Sequence, residues 1–559
     1  MPACITSRFY RPIKDFRWPA AAESGIVSGM ATATEPLPDD PEALKRQVQE
    51  LAAEVEGLAS ERDRHKQRAD QLQEMVNILK AKQFGPTSEK AVDQYPLFDE
   101  AEVETRTEGP SESVAVPGHT RSKRGRKPLP EALPREEIVH DLPEGEKVCA
   151  VDGTALERIG EEVTEQLDII PAKVQVIRHI RPKYACPCCE DTGIHTAAMP
   201  PQPIPGSIAS PGLLAHIATA KYVDGLPLYR QEVVMGRAGV DLPRATLAHW
   251  MVRMGEAAQP LVNLLGEALE DGPVLQMDET PVQVLKERGK KPTSQSYMWI
   301  QKGGPPGKPA IRFSYDPGRD HSVPARLLAD FHGYLQTDGY SAYGTAVAGR
   351  RDVVAVGCWA HARRKFDEAI KAHGKKKAKK AGRARQGMDF IQKLYAIERQ
   401  ARDQGLDAAG RCRLRQEQAR PLLDEMRAWL DDGLTAVPPK SATGKALTYL
   451  AGQWERLVRY LDDGRIPIDN NGAENAIRPF VVGRKNWLFS NSTAGATASA
   501  NLYSLVETAK ANGHDPYTYL RHIFKELPAA SSAKDYEALL PWNLDPQTLQ
   551  PVSLAATDG

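Results

Sequence analysis

From Leu44 to Leu79 apolar side chains return every seven residues. Leu44, Leu51, Leu58, Leu72 and Leu79 hold one seam position, interrupted by His65, and Val48, Val55, Ala69 and Val76 hold the other, interrupted by Arg62. This repeat predicts a long helix over residues 41–83 whose seam either pairs with a second copy as a two-stranded coiled coil or packs on its own domain. Between residues 272 and 359 the period drops to two. VLQMDETPVQVL from Val274, SYMWIQKG from Ser296, AIRFSYDPG from Ala310, GYLQTDGYSAYG from Gly333 and VVAVGCW from Val353 alternate strand-like runs with turn residues, and a helix over 323–331 separates the third from the fourth. Helical spacing prevails from Ser210 to Glu270, and from Lys371 to about Arg465 after a basic start.

The punctuation between these blocks divides the chain. Patterned text begins only after Met30, so residues 1–40 read as a tail or an extension of the start site, followed by the heptads at 41–83. Residues 84–135 have a linker's Pro, Gly, Glu and Ser, and contain RSKRGRKP, Arg121 to Pro128. Its Arg124, Arg126 and Lys127 either enter a DNA minor groove or are simply solvated. Residues 136–205 carry Cys149-Ala-Val-Asp152 and Cys186-Pro-Cys-Cys189, with strand-like AKVQVIRHIRPKYAC between the pairs. Two ligand pairs of that spacing suit tetrahedral zinc held by Cys149, Asp152, Cys186 and Cys189, or else mark a remnant ribbon, since structural sites mostly use Cys and His.

Within 206–270 the cadence of LYRQEVVMGRAGVDLPRATLAHWMVRM predicts a helix-turn-helix: a first helix from Leu228, a turn at Gly239 with Val240 inward, and a second helix opened by Asp241 and Pro243. Arg244, Thr246 and His249 then face outward toward bases or phosphates. Residues 271–370 hold the strands, 371–466 an all-helical insertion, 467–525 a closing segment and 526–559 a tail. Lys+Arg and Asp+Glu both total 73, so the net charge is zero and any nucleic-acid surface must be local. The insertion supplies one candidate, KAHGKKKAKKAGRAR, with Lys375, Lys376 and Lys377 at its centre, and the run after VVAVGCW supplies another in Arg363 and Arg364. No membrane-length apolar run or secretory leader is present, and an odd cysteine count of seven argues against a disulfide framework. Both point to a soluble cytoplasmic protein.

The chemistry concentrates in the strands. Asp278 and Glu279 stand inside an apolar strand, and a buried carboxylate without a cation is costly. Three strands in a meander, a helix and a fourth strand ending near Asp338 fit an RNase H-like α/β fold, in which strands one and four are neighbours. Asp278 and Asp338 then converge, tolerable where they hold a divalent cation such as Mg²⁺. Glu474, in IDNNGAENAIRPF, is the candidate for a third carboxylate. A structural alternative exists for it: a capping box from Asn471 to Glu474, and an ion pair with Arg478.

MDETPV, LQTDGYSAYG, CWAHARRKF, DNNGAENAIRPF, GRKNWLFS and YSLVETAKANGHDPYTYL occur in the order found in transposases of the insertion-sequence-66 family, which this chain resembles from the heptads onward. FGPTSEK, LPREEIVHDLP and RPKYAC also fit that pattern. The resemblance implies a multidomain α+β protein: N-terminal coiled coil, zinc-ribbon-like module, helical DNA-binding block and RNase H-like catalytic domain with an all-helical insertion. It further implies a DDE triad of Asp278, Asp338 and Glu474 holding two Mg²⁺ or Mn²⁺ ions, cleavage at terminal inverted repeats and strand transfer into target DNA. A dimer or higher assembly, companion proteins from the same element and a nucleoid location belong to the same expectation. The chain departs from the family at Asp152, where a cysteine is usual, at Asn475, and in SNSTAGATASAN after the WLF run. Two other classes remain open at this point: a catalytically silent DNA-binding dimer, and another RNase H-like metal nuclease.

Overall fold

The computed structural model describes residues 40–84, 174–181, 183–185, 194–196, 198–372, 382–547 and 549. Arg124, Arg126, Lys127, Cys149, Asp152, Cys186, Cys189, Lys375, Lys376 and Lys377 lie outside the described residues. The heptads form one helix, α1, Pro41–Phe84. Its seam residues Val48, Leu51, Val55, Leu58, Leu72 and Val76 are all exposed.

In the remainder, β1 (Lys183–Ala185) pairs antiparallel with β2 (Ile194–Thr196). Most of the strand-like text before β1 is not strand: residues 174–181 are irregular, and Val176 and Ile180 are exposed. Alternation alone does not make a strand without a partner to accept its backbone hydrogen bonds. Four helices follow: α2 (Pro211–Tyr222), α3 (Leu228–Arg237), α4 (Arg244–Ala257) and α5 (Gln259–Glu270). Gly239 takes a left-handed φ of 79°, as the turn between α3 and α4 demands. Asp241 does not open α4. Pro243 is its N-cap, and the Arg244 N–H donates instead to the Glu232 carboxylate at 3.0 Å.

The large sheet contains β3 (Val274–Lys286), β4 (Gln295–Gly303), β5 (Ala310–Asp316), β6 (Gly333–Gln336) and β7 (Val353–Val356), with α6 (Ser322–Leu327) and α7 (Ser341–Ala346) on its connections. The order is β5-β4-β3-β6-β7. The first three strands make an antiparallel meander, and β6 and β7 run parallel to β3. Met298, Trp299 and Ile300 of β4 are fully buried, because helices cover both faces here. Helix α6 is shorter than expected: beyond it Leu328 and Phe331 turn into the core.

Helix α8 (Trp359–Ala372) leaves the sheet, and the insertion comprises α9 (Gly382–Asp403), α10 (Ala408–Leu414), α11 (Arg420–Ala436) and α12 (Ala442–Val458). With α8 it encloses a core of its own, including Phe366, Ile391, Leu430 and Leu447. The chain returns through α13 (Asn471–Trp487), β8 (Ser490–Ser492), α14 (Thr493–Ala511), α15 (Pro516–Glu526) and α16 (Ala533–Ala538). Strand β8 extends the sheet by pairing parallel with the far end of β3. Ser504 and Thr508 of α14 accept the Phe313 and Ile311 N–H groups of the outer strand β5, at 2.8 and 3.0 Å.

Two expected boundaries do not hold. Leu214, Leu247 and Leu265 of the helical block share one core with the sheet and with α14 and α15, so residues 206–270 are not a separate domain. Residues after 526 are not a tail, because Leu539 and Leu540 enter that core and the Tyr519 hydroxyl donates to the Leu539 carbonyl at 3.1 Å.

Candidate active site

Strand β3 is central in the sheet, so a side chain on its pleat has little water around it. Asp278 lies there, its own Oδ1 accepting the Glu279 N–H at 2.9 Å. Burial, then the adjacent Glu279, push the Asp278 carboxyl up to about 8, with Glu474 and Asp338 adding to the rise and the Glu279 N–H opposing it. Glu474 and Asp338 are thus close enough for their charges to act on Asp278. Strand β6 ends at Gln336, two residues short of Asp338, which occupies the loop before α7. There its Oδ1 accepts the Tyr340 N–H at 2.8 Å, and Tyr449 of the insertion donates to its carbonyl at 3.3 Å.

Glu279 points elsewhere, as successive strand residues must. Its side chain is almost wholly buried, and Arg319 donates to it through Nε at 2.8 Å and Nη2 at 2.6 Å, while the Tyr343 hydroxyl takes the other oxygen. Arg319 itself stacks 4.1 Å from the Tyr340 ring centroid. Of the two carboxylates in the apolar strand, one already has its cation, and Arg319, three residues from Asp316 in an apparent turn, was the residue sequence reasoning missed.

The segment before α13 is fixed by buried amides. Gln276 donates to Gln336 at 2.8 Å and to the Asp469 carbonyl at 3.0 Å; Gln336 donates to the Pro467 carbonyl at 2.8 Å. Asn470 donates to the Met277 carbonyl at 2.9 Å, beside Asp278. Gly472 packs so closely that a Cβ there would lie 2.0 Å from Gln276 Oε1. These contacts put Glu474 in the first turn of α13, over the carboxyl-bearing strand.

Neither structural alternative for Glu474 is observed. The N-cap is Asn470, without a side-chain cap, and the Asn471 amide donates to Asp469 at 3.0 Å. Glu474 faces α8 rather than Arg478: His361 Nδ1 and Arg364 Nη2 each stand 3.6 Å from it. Both His361 Nδ1 and Glu474 Oε1 are buried without a hydrogen-bond partner, and Cys358, His361 and Glu474 bring their ligand atoms within 4.8 Å of one another. Burial holds the His361 imidazole below its ordinary value despite the opposing pull of Glu474, and burial raises the Cys358 thiol. Asp469 is occupied, accepting from the buried Tyr395 hydroxyl at 2.7 Å.

Among the basic candidates, Arg363 is buried at 6% exposure, on the inward stripe of α8 with Trp359, Ala362 and Phe366, which corrects its expected role as a surface contact. Arg364 is half exposed and turned to Glu474. Arg244 and His249 are exposed on α4 and Thr246 is partly covered.

Asp278 thus lies on a strand, Asp338 after the neighbouring strand and Glu474 on a covering helix, and comparison with known proteins gives the family. Residues 206–498 match the Transposase IS66 family, 146–190 the zinc-finger binding domain of transposase IS66, 504–542 the IS66 C-terminal element, and 71–138 a segment described as Transposase C of IS166 homeodomain. The uncharacterized protein y4qI of Sinorhizobium fredii (strain NBRC 101917 / NGR234) is 35% identical over 546 residues, covering 92% of this chain and 98% of that protein. The uncharacterized protein y4jD of the same strain is 34% identical over 527 residues, again covering 92% and 98%. The chain belongs to the insertion-sequence-66 transposase family, with that family's zinc-finger region and a DNA-binding role. No helix among the described residues is long and apolar enough to cross a membrane.

Proposed function

We propose that this chain is the transposase of a bacterial insertion sequence, cutting DNA at the element's terminal inverted repeats and joining the ends to target DNA. The observation that carries the reading is that Glu474 and Asp338 lie near enough to Asp278 for their charges to add to the rise that burial and Glu279 impose on its carboxyl. The strand order, an antiparallel meander followed by two parallel strands with strand four beside strand one, supports an RNase H-like catalytic domain.

The donor set suits hard divalent cations. Oxygen donors are gathered here, burial makes the Asp278 charge costly without a counterion, and Glu474 Oε1 has no hydrogen-bond partner. Mg²⁺ or Mn²⁺, two ions by resemblance, would be held by Asp278, Asp338 and Glu474, and when bound would supply Lewis-acid stabilisation to a phosphate and acidify a water. The protein's own part is positional. Asn470 and the two buried glutamines hold the Glu474 segment against β3; Arg319 neutralises Glu279; His361 and Arg364 flank Glu474 from α8. The reaction is two phosphoryl transfers. Water first breaks a phosphodiester and leaves a 3′-hydroxyl; that hydroxyl then attacks a target phosphodiester, forming one P–O bond as another breaks, with no covalent protein–DNA link.

The exposed heptad stripe of α1 supports a dimer or a higher assembly. The zinc-finger match supports zinc at Cys149, Asp152, Cys186 and Cys189. DNA contacts are assigned to Arg244, Thr246 and His249, with Arg124, Arg126, Lys127 and Lys375 to Lys377 as phosphate-directed arms. Companion proteins and a cytoplasmic, nucleoid-associated location complete the reading.

The test is cleavage of labelled element-end DNA by the full chain in Mg²⁺ or Mn²⁺. Glu474→Gln should fold, bind the DNA and neither nick nor join it. A near wild-type nicking rate in that variant would refute the assignment.

A further inference from the structure

At the end of α13 the chain does something costly. Leu488 has φ of 67°, the one non-glycine left-handed residue among those described. With ψ of −46° and the Phe489 N–H bonded across it to the Trp487 carbonyl, it is the centre of a γ-turn of the rare, strained kind, where a Cβ adds roughly 1 kcal/mol or more of strain. The Leu488 side chain is not repaid by burial: it is 64% exposed, and Phe489 beside it is 43% exposed.

The loop carrying them is nonetheless held at both ends. Trp487 folds back on Gly483, where a Cβ would lie 2.1 Å from the indole, and Lys221 Nζ sits 4.0 Å from the indole ring centroid. Asn486 donates to the Gly225 carbonyl at 2.8 Å, the Leu488 N–H to the Arg484 carbonyl at 2.7 Å, and the Phe489 N–H to the Trp487 carbonyl at 2.8 Å. From Ser490 the chain is locked into the sheet against Val284 of β3. A floppy apolar loop would collapse; this one is braced so that two apolar side chains stay in water.

Its surroundings select the ligand. Lys485 and Lys286 are exposed beside it, Lys286 in register with Ser492, and Arg484 reaches β3 at Thr280, 3.2 Å from its hydroxyl. Thr280 shares the Asp278 face of the strand. At about 3.3 Å per residue, the loop lies between about 7 and about 20 Å along β3 from Asp278, or about two to six base-pair steps. Braced apolar tips flanked by cations are the means by which proteins part stacked bases.

We propose that Leu488 and Phe489 form a wedge that enters the stack of duplex DNA, displacing a base within about six pairs of the bond at the carboxylate site. The position of the wedge rests on the carboxylate reading, whereas base displacement itself requires DNA binding alone.

The test uses the full chain bound to duplexes spanning the boundary of its element, each with 2-aminopurine at one position near that boundary. Wild-type protein should raise the fluorescence several-fold at one or two positions inside the stated window. Glu474→Gln should raise it equally. Phe489→Ala and Leu488→Gly should each abolish most of the rise while retaining the wild-type melting curve and gel retardation of a random-sequence duplex. The glycine variant keeps the left-handed turn and loses only the side chain, which guards against misfolding. A bound wild-type complex without a fluorescent position, or folded Phe489→Ala and Leu488→Gly proteins that distort DNA as the wild type does, would overturn the wedge.

Discussion

Replacing Arg319 by Met keeps most of the side chain's apolar length and removes the fork that neutralises Glu279. The Glu279 carboxylate is then left buried, with a side-chain exposure of 2%, beside a second carboxylate that is itself disfavoured in its charged form. Removing one partner of a fully buried pair costs about 3–5 kcal/mol. Arg319 is 41% exposed, so water screens part of the interaction in the native protein and re-enters in the variant; the Tyr343 hydroxyl also remains. We therefore expect a loss of about 1.5–3 kcal/mol. Urea unfolding of the metal-free chain at pH 7.5 measures it, and the companion variant Glu279→Gln tests the cause. In the double variant the stranded charge is gone, so the two effects should fall short of additivity by about 1 kcal/mol or more. A loss below about 0.5 kcal/mol in Arg319→Met, or full additivity, would show that the fork is ornamental and that the strand tolerates an unpaired Glu279.

Asp278 should make the metal-free protein weaken as pH rises. Its folded carboxyl titrates near about 8 against about 3.9 when unfolded, so between those values the folded chain holds a proton that the unfolded chain has lost. Stability thus falls from about pH 4 to about pH 8, by up to about 5 kcal/mol; Asp278→Asn should remove most of that slope in urea titrations with chelator, and an unchanged slope would refute the account. Gly472→Ala puts a Cβ 2.0 Å from Gln276 Oε1 and should cost about 1–3 kcal/mol and, in the nicking assay, activity out of proportion to stability. Truncation after Glu526 removes Leu539 and Leu540 from the core and should lower the thermal midpoint by several degrees or abolish soluble expression; an unaltered melting curve would return that segment to the status of a tail.

The strands that carry the candidate acids were legible because strand alternation is a local signal. VLQMDETPVQVL and GYLQTDGYSAYG announce their strands, which chain order leads one to pair and which do run side by side. Glu279's partner could not be read this way, since Arg319 sits 40 residues on in a turn whose aspartates look like ordinary turn chemistry. The capping box at Asn471 failed for a related reason: local spacing permits it, but the Asn470 amide is drawn away to Met277 and Asn471 to Asp469, contacts fixed by tertiary packing. Alternation also misled in VQVIRHIR, where no partner strand is described, and Arg363 looked available until the helix phase of α8 placed it with Trp359 and Phe366.

The hydroxyls of Ser504 and Thr508 have a consequence for behaviour in the cell. An outermost strand with free amides is a template on which another strand can grow, and the hazard rises with local concentration. A protein proposed to gather in several copies on a single DNA molecule creates that concentration each time it works. With the Ile311 and Phe313 amides of β5 already donated to a helix of its own chain, that edge offers fewer free groups on which a strand of a crowded neighbour could grow.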